Sequence, residues 1–305
     1  MIMEFLEPAF MQRALLAAVL VGITAPAVGI FLVQRRQALM GDGIGHVAMT
    51  GVGLGFLLNS SPVWMATLVA VAGAVLMELI RTYGRTRGDL ALALLFYGGM
   101  AGGVMLIQVG GGSNANLLSY LFGSLSTVSS EDVTAIAVLA AFVVLVTIGL
   151  RRQLFAVSQD EEFARVTGLP VRALNLLVAI TAAVTVTVAM RVVGLLLVSA
   201  LMVVPVAAAQ QLSRSFRTTF VLAIVIGTGV TLTGTVTTYY QDLPPGSLIV
   251  LLAIAVFIVL TALAAPLARR RARAAEAAAS SSSLSGSECD MAVPSTRRPT
   301  DDARV

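Results

Sequence analysis

The sequence predicts an all-α polytopic membrane protein with eight or nine transmembrane helices, and three observations support this prediction. Of its 305 residues, 57% are hydrophobic, 12% are charged, and the mean hydropathy is +0.91. Soluble globular chains carry about 25% charged residues. The charged residues are also unevenly spaced, so that uncharged apolar stretches recur at about the 20 residues that cross a bilayer.

Nine such stretches account for most of the chain, and each is predicted to be a membrane span. They fall at 12–33, 43–58, 62–80, 90–108, 133–150, 173–190, 193–211, 218–238 and 246–268. The second stretch is short, and very few residues separate the sixth from the seventh. The pattern therefore also allows eight spans with one re-entrant segment. Either count predicts one transmembrane domain over residues 1–268.

The remainder, residues 269–305, differs in composition. It begins with an arginine cluster and continues as a serine-rich stretch with too little apolar surface to fold. We therefore predict a disordered cytoplasmic tail. The single cysteine, Cys289, lies in this tail, which excludes an intramolecular disulfide and a cysteine metal site.

The basic residues predict the orientation of the chain in the cell membrane. If Arg35 and Arg36 face the cytoplasm, eleven of the thirteen arginines that precede residue 269 lie on that side. Cytoplasmic loops carry such an excess, which favours an external N-terminus and a cytoplasmic C-terminus. Because the arginines flank apolar segments, the pI of about 9.8 reflects contact with the lipid bilayer, and no nucleic-acid partner is expected.

The chain contains no lysine. A Walker A phosphate-binding loop needs the lysine of its G-x-x-x-x-G-K-[ST] motif, so this chain cannot bind nucleotide through such a loop. If nucleotide drives its activity, another subunit has to bind that nucleotide. The chain itself is therefore not predicted to be an enzyme.

The one histidine, His46, follows Asp42 by four positions at the start of the second apolar stretch. Positions four apart share a helix face, so the carboxylate and the imidazole would point the same way. Such a pair can ligate a divalent metal ion, and ionisable groups inside a membrane are costly enough to indicate function. Two interpretations remain open: a pair of metal ligands, or a helix-capping Asp42 with His46 packed between helices.

Glycines surround this pair along the same stretch, a pattern that is typical of close packing between transmembrane helices. They are Gly41, Gly43, Gly45, Gly51, Gly53 and Gly55. The sequence therefore predicts that the backbone of the second stretch approaches its neighbours closely, and that the glycines leave room for a path along the helix surface.

The segment 158–175 lies between two spans on the predicted cytoplasmic side. Three acidic residues are followed by a mixed apolar and polar run, and Gly168 and Pro170 provide a stop signal, so we predict a short helix there. This helix is either part of a solvated loop or a surface that docks on a separate soluble subunit.

A few other features have simple structural interpretations. Glu78 and Arg81 are predicted to form a local ion pair at a helix end. Arg191 is expected to extend to the membrane interface, and Ser199 to belong to a kinked helix. Residues 116–125 are predicted to form a short amphipathic element that dips into the membrane.

Together these stretches resemble the membrane permease subunit of bacterial ABC importers for zinc, manganese or iron. The resemblance covers residues 8–266 and is carried by five segments in order. They read "FLVQRRQALMGDGIGHVAMTGVGLGFLL", "LLSYLFGSLSTVSSEDV", "EFARVTGLPVRALNLL", "VVGLLLVSALMVVPVAAA" and "DLPPGSLIVLL". No single segment would be specific, but the ordered set is.

The resemblance implies an ABC importer permease fold, a second permease copy around a central path, cytoplasmic ATP-binding subunits and an extracytoplasmic metal-binding protein. Within 162–168, it implies a coupling helix to the ATPase that includes Glu162, Ala164 and Gly168. It also implies that Asp42 and His46 match a Gly-Asp-x-x-x-His pattern of the cation path. The divalent metal ion, zinc or manganese first and iron as a further option, is then the transported substrate, and the chain binds no cofactor of its own.

Three other functions remain as alternatives. A permease for a metal chelate or a vitamin would use the same general machine with a larger cavity. An ion-coupled secondary transporter would need several charged residues in the middle of its spans, and these are almost absent from the sequence. A purely structural scaffold explains neither the acidic helix nor the pair of Asp42 and His46.

Overall fold

The computed structural model describes residues 8–83, 88–124, 128–213, 215–241 and 243–264. The regular structure within these ranges is entirely helical. The predicted tail, 269–305, lies outside the described residues. The described residues between 8 and 258 form one compact unit, and the last helix ends at Ala264.

The helices follow the predicted stretches closely. They are α1 (Ala9–Gln34), α2 (Met40–Leu57), α3 (Pro62–Tyr83), α4 (Gly88–Val109), α5 (Asn114–Phe122), α6 (Ser130–Gly149), α7 (Arg151–Gln159), α8 (Glu161–Val166), α9 (Val171–Ala189), α10 (Val198–Leu212), α11 (Phe216–Gln241) and α12 (Pro245–Ala264). A 3₁₀ turn, Leu195–Leu197, precedes α10.

Eight segments of the described chain are long and apolar enough to cross a membrane, and they correspond to all the predicted spans except the second. That second stretch is α2, which has 18 residues and is interrupted by Asp42, His46 and six glycines, all of which lower its hydropathy. It packs against α3, α4, α9 and α10. The fold is therefore a polytopic bundle of eight apolar spans with α2 as a ninth long helix in its interior.

The connection between α9 and α10 is buried although it is not a regular helix. Met190, Val192, Val193 and Leu195 are at most 4% exposed. The N–H of Gly194 donates to the carbonyl of Met190 at 3.1 Å, so part of this backbone is satisfied locally. Irregular backbone is tolerated at membrane depth only where protein surrounds it. The two spans predicted at 173–190 and 193–211 are therefore joined inside the bundle, without an external loop.

Three glycines bring separate backbone segments together beside this connection. A Cβ atom on Gly123 would lie 2.3 Å from the carbonyl oxygen of Val192, and one on Gly246 would lie 1.8 Å from the carbonyl oxygen of Val193. Gly194 has φ +84° and packs on the backbone of Gly123. We call Gly123, Gly194 and Gly246 the three-glycine junction. It joins the end of α5, the α9–α10 connection and the start of α12.

Arg191, which the sequence predicts to extend to the membrane interface, is largely buried within the chain. Its guanidinium pairs with the carboxylate of Asp132 in the first turn of α6, and it lies 5.1 Å from the ring centroid of Tyr120 on α5. Only 12% of the Arg191 side chain and 13% of the Asp132 side chain are exposed. A close partner makes this burial possible, because a buried charge is tolerated when it is paired.

Candidate cation site on helix α2

Helix α2 is stabilised by its neighbours rather than by its own sequence. Glycine in a helix interior costs about 1 kcal/mol relative to alanine, and α2 contains six glycines. Thirteen of its 18 residues are buried, which includes every one of these glycines. Packing therefore has to offset a poor helix propensity, and the glycine contacts show how it does so.

The last turns of α2 contact the backbones of α3 and α4. A Cβ on Gly51 would lie 2.6 Å from Cα of Ala66, and a Cβ on Gly53 would lie 3.1 Å from the carbonyl oxygen of Gly103. A Cβ on Gly55 would lie 2.8 Å from Cα of Pro62. These distances confirm the predicted close packing, because even a methyl group would displace a neighbouring backbone.

Glycines of α4 pack against the middle of α2. A Cβ on Gly99 would lie 2.6 Å from the carbonyl carbon of His46. The hydroxyl of Thr50 donates to the carbonyl of Gly99 at 2.9 Å. The backbone at His46 is therefore fixed against α4, which leaves the direction of the imidazole to its side-chain contacts.

Asp42 lies in the first turn of α2, and its partner comes from another helix. The hydroxyl of Ser199, in the first turn of α10, donates to Oδ1 of Asp42. Leu39, the N-cap residue just before α2, makes no side-chain cap, and the bond from Asp42 to α10 favours an interhelical role for Asp42 over the capping interpretation. The carboxylate also lies near two helix N-termini, which stabilise negative charge.

His46 lies one turn further along and is 4% exposed. Its ring centroid is 4.1 Å from that of Phe96 on α4, in an edge-on arrangement. Its Nδ1 atom is buried and has no hydrogen-bond partner among the residues that the structure describes. Buried polar atoms are rarely unpaired, so this nitrogen requires an explanation. A lone pair free to bind a metal ion provides one.

Asp42 and His46 are the only candidate ligands at this position that the sequence predicts. Across the described ranges, no group of three or more His, Cys, Asp or Glu side chains could hold a metal ion. As ligands, Asp42 and His46 would supply one oxygen and one nitrogen from one chain, fewer than tightly held resident ions usually have.

The predicted helix within 158–175 is present as α8. Asp160 caps it by accepting from the N–H of Phe163 at 2.9 Å, and it stops before Gly168, which has φ +82°. Ala164 is buried within the chain, whereas Glu162 and Gly168 are exposed. Ala164 thus seats α8 on the bundle, and the other two predicted coupling residues lie on the surface.

Sequence analysis missed two features of α8 and one of α2. Phe163 and Val166 are 65% and 86% exposed, so the short helix presents apolar side chains outward. Such exposed apolar residues are typical of a docking surface when they lie together. Ser199 was expected only as part of a kinked helix, and its bond to Asp42 crosses 157 positions of sequence, beyond the reach of any local pattern.

Comparisons with known proteins agree with this architecture. Residues 7–264 match the model of a family described as the ABC 3 transport family. The chain is 34% identical over 259 residues to a "Probable metal transport system membrane protein" of Treponema pallidum, covering 85% of this chain and 97% of that protein. It is 31% identical over 254 residues to the manganese transport system membrane protein MntC of Halalkalibacterium halodurans, covering 83% and 87%.

A solved structure is also similar. PsaBC from Streptococcus pneumoniae in complex with Fab matches with a TM-score of 0.78 and 30% sequence identity. The match covers 85% of this chain and 95% of that chain. The similarity therefore extends over nearly all the residues that the structure describes.

Proposed function

The chain belongs to the ABC 3 transport family, and from that premise we propose that it is the membrane permease of an ATP-driven importer for a divalent metal ion. The observation that carries the proposal is the pair on α2: Asp42 held by Ser199, and His46 buried with an unpartnered Nδ1. Manganese is the first candidate ion and zinc the second, with iron as a further option.

The ligand chemistry supports this order. Carboxylates suit harder ions such as manganese, and imidazole suits zinc and iron as well as manganese. Zinc sites usually combine nitrogen and sulfur ligands, and the only cysteine of this chain is Cys289 in the predicted tail. A relative with 31% identity is named as a manganese transport protein, which favours manganese further.

We propose that two copies of the chain share the path. Under two-fold symmetry, a second Asp42 and a second His46 would bring the number of ligands to four around one axis. Binding in a transport path has to be weak enough for release. An extracytoplasmic metal-binding protein would supply the tight and selective binding that such a path lacks.

Energy would come from separate cytoplasmic ATP-binding subunits, since the chain has no lysine for a Walker A loop. We propose that α8 contacts these subunits through its exposed Glu162, Phe163, Val166 and Gly168. Nucleotide binding and hydrolysis would displace α8 and open the path to each side in turn. The arginine distribution supports this assignment, because it favours a cytoplasmic position for α8.

The test is metal uptake by cells that express the permease with its ATPase and its binding protein. Asp42→Asn and His46→Gln change the ligands with little change of volume, and we expect each to lower uptake at least about tenfold. Glu131→Gln, which neutralises an exposed carboxylate in the first turn of α6, is the matched control and should retain uptake. Manganese, zinc and ferrous iron are compared at equal membrane expression.

Unchanged uptake in both ligand variants would contradict the proposed site. Uptake by the chain alone, driven by an ion gradient in liposomes, would instead favour the ion-coupled alternative. Uptake of a chelated metal but not of the free ion would favour the alternative of a permease for a metal chelate.

A further inference from the structure

Charged residues at the end of the bundle where α1 and α3 finish connect four helices. Nη2 of Arg81 on α3 lies 3.9 Å from Oε2 of Glu161 on α8, and its Nη1 lies 3.8 Å from Oε2 of Glu78. Nε of Arg35, just after α1, donates to the hydroxyl of Ser158 on α7 at 3.3 Å. The ion pair of Glu78 and Arg81, predicted as a local one, is therefore part of an interhelical cluster.

Glu78 fixes this cluster to the interior of the protein. It is 5% exposed, and a buried carboxylate is tolerated only near compensating positive charge. Arg35 and Arg81 supply that charge. Burial, and then the charge of Arg81, lowers the pKa of Arg35 to about 10, so Arg35 stays protonated at neutral pH.

Helix α8 itself has few other attachments. It has six residues, of which only Ala164 is buried, and it packs mainly on its sequence neighbours α7 and α9. The Glu161–Arg81 pair connects it to a helix 80 positions earlier in the sequence. Arg165 on α8 also contacts Glu161, at 3.3 Å, but that pair lies within one helix.

We infer that Arg81 is a positioning residue that transmits displacement of α8 to α3 and, through α3, to the cation site on α2. The inference depends on the proposed function, in which α8 contacts the ATPase. From Arg81 the connection runs along α3, which packs on α2 beside His46, since a Cβ on Gly73 would lie 2.6 Å from Cγ1 of Val47. Displacement of α3 therefore displaces the helix that carries Asp42 and His46.

The exposure of the Arg81–Glu161 pair makes it possible to distinguish a coupling role from a stabilising role. The side chains of Arg81 and Glu161 are 31% and 43% exposed, and such pairs contribute little to stability. Loss of the pair through Glu161→Gln, which keeps the Arg81–Glu78 pair in place, should therefore leave the fold intact while it disconnects α8 from α3. Substitution of a purely structural residue would instead lower assembly, ATP hydrolysis and transport together.

The experiment uses the complete importer in liposomes and measures metal ions transported per ATP hydrolysed, with manganese as the probe. We expect Arg81→Gln and Glu161→Gln each to lower this ratio about two- to fivefold while ATP hydrolysis continues. The double variant should show no further loss, because both changes remove the same contact. Arg152→Gln, an exposed arginine on α7, is the matched control and should leave the ratio unchanged.

Arg165→Gln distinguishes the interhelical pair from the pair within α8. A loss equal to that of Arg81→Gln would overturn the inference, since the stability of α8 alone would then explain both. An unchanged ratio in Arg81→Gln would overturn it as well.

A second measurement separates this inference from the proposed function. Spin labels at Leu76→Cys on α3 and Leu145→Cys on α6, in a Cys289→Ser background, report the distance between these helices with and without ATP. We expect an ATP-dependent change in the wild type that Arg81→Gln reduces. If the change persists in Arg81→Gln, the inference is wrong. If the wild type shows the change but transports none of the metals, the proposed function is wrong while the inference holds.

Discussion

The two halves of α2 carry the same glycine spacing but have different surroundings. In the second half, Gly51, Gly53 and Gly55 face backbone atoms at 2.6 to 3.1 Å from where a Cβ would lie. In the first half, a Cβ on Gly43 would lie 2.4 Å from Cδ1 of Leu92, and one on Gly45 would lie 3.5 Å from Cδ1 of Leu195. Backbone cannot move aside, whereas these side chains can turn.

This difference shows which part of the helix is able to respond to an ion. Asp42 belongs to the half that is bounded by side chains, and its partner Ser199 comes from a different helix. His46 marks the boundary, because Gly99 packs on its carbonyl while its ring contacts only side chains such as Phe96. The second half anchors the helix, and the first half carries Asp42 and leads up to His46.

The largest expected effect on stability comes from adding a methyl group to the second half of α2. Overpacking costs about 1 to 3 kcal/mol, and we expect Gly51→Ala to reach about 3 kcal/mol because its Cβ would meet Cα of Ala66 at 2.6 Å. The measurement is thermal unfolding of the purified permease. Gly149→Ala, whose Cβ would meet nothing within 4 Å, is the control. Equal stability of the two variants would refute a backbone anchor.

A second prediction compares two adjacent glycines of α4. Gly99→Ala should lower the unfolding free energy by about 2 kcal/mol, because its Cβ would lie 2.6 Å from the carbonyl carbon of His46. A Cβ on Gly98 meets nothing within 4 Å, so Gly98→Ala should be nearly neutral. Unfolding and metal uptake are both measured. Uptake lost in Gly98→Ala but kept in Gly99→Ala would contradict the assignment of Gly99 to the face of α4 that packs on α2 and of Gly98 to an open face.

A smaller effect on stability is expected in the first half of α2. Ser199→Ala removes the hydrogen bond to Asp42, which is worth about 1 kcal/mol. We expect the KM for metal uptake to rise about fivefold, the equivalent of that energy, with a smaller change in kcat. Ser199→Thr retains the hydroxyl and should restore much of the affinity. An unaltered KM in the alanine variant would show that Asp42 does not depend on Ser199.

The smallest effect is expected for Gly45→Ala. Its Cβ would make an ordinary contact with Leu195, so we expect the unfolding free energy to stay within about 0.5 kcal/mol of the wild type. The same thermal unfolding assay provides the value. A loss as large as that of Gly51→Ala would remove the distinction between the two halves of α2.

Features set by local pattern could be predicted from the sequence. The spans follow from uncharged stretches, the position of α8 from its acids and Gly168, and the shared face of Asp42 and His46 from their spacing. Glycine content predicted close packing on α2. It could not separate the two halves, because that difference depends on which atoms of α3, α4 and α10 lie opposite.

Features set by distant partners could not be predicted. The pairing of Arg191 with Asp132 could not be predicted, because Asp132 lies 59 positions earlier in the sequence. The pair of Glu78 and Arg81 looked local because Glu161 is equally remote in sequence. The metal-ligand roles of Asp42 and His46, and the coupling roles of Glu162, Ala164 and Gly168, stay predictions, as do the orientation of the chain and its tail.

The three-glycine junction has a consequence for the biogenesis of the protein. The α9–α10 connection becomes fully enclosed only when Gly246 packs on Val193. Lipid offers no hydrogen bonds to irregular backbone. During synthesis, the packing around the α9–α10 connection is therefore incomplete until the start of α12 has been made. A nascent chain that ends before residue 246 would leave that backbone uncovered, a defect that membrane quality control can recognise.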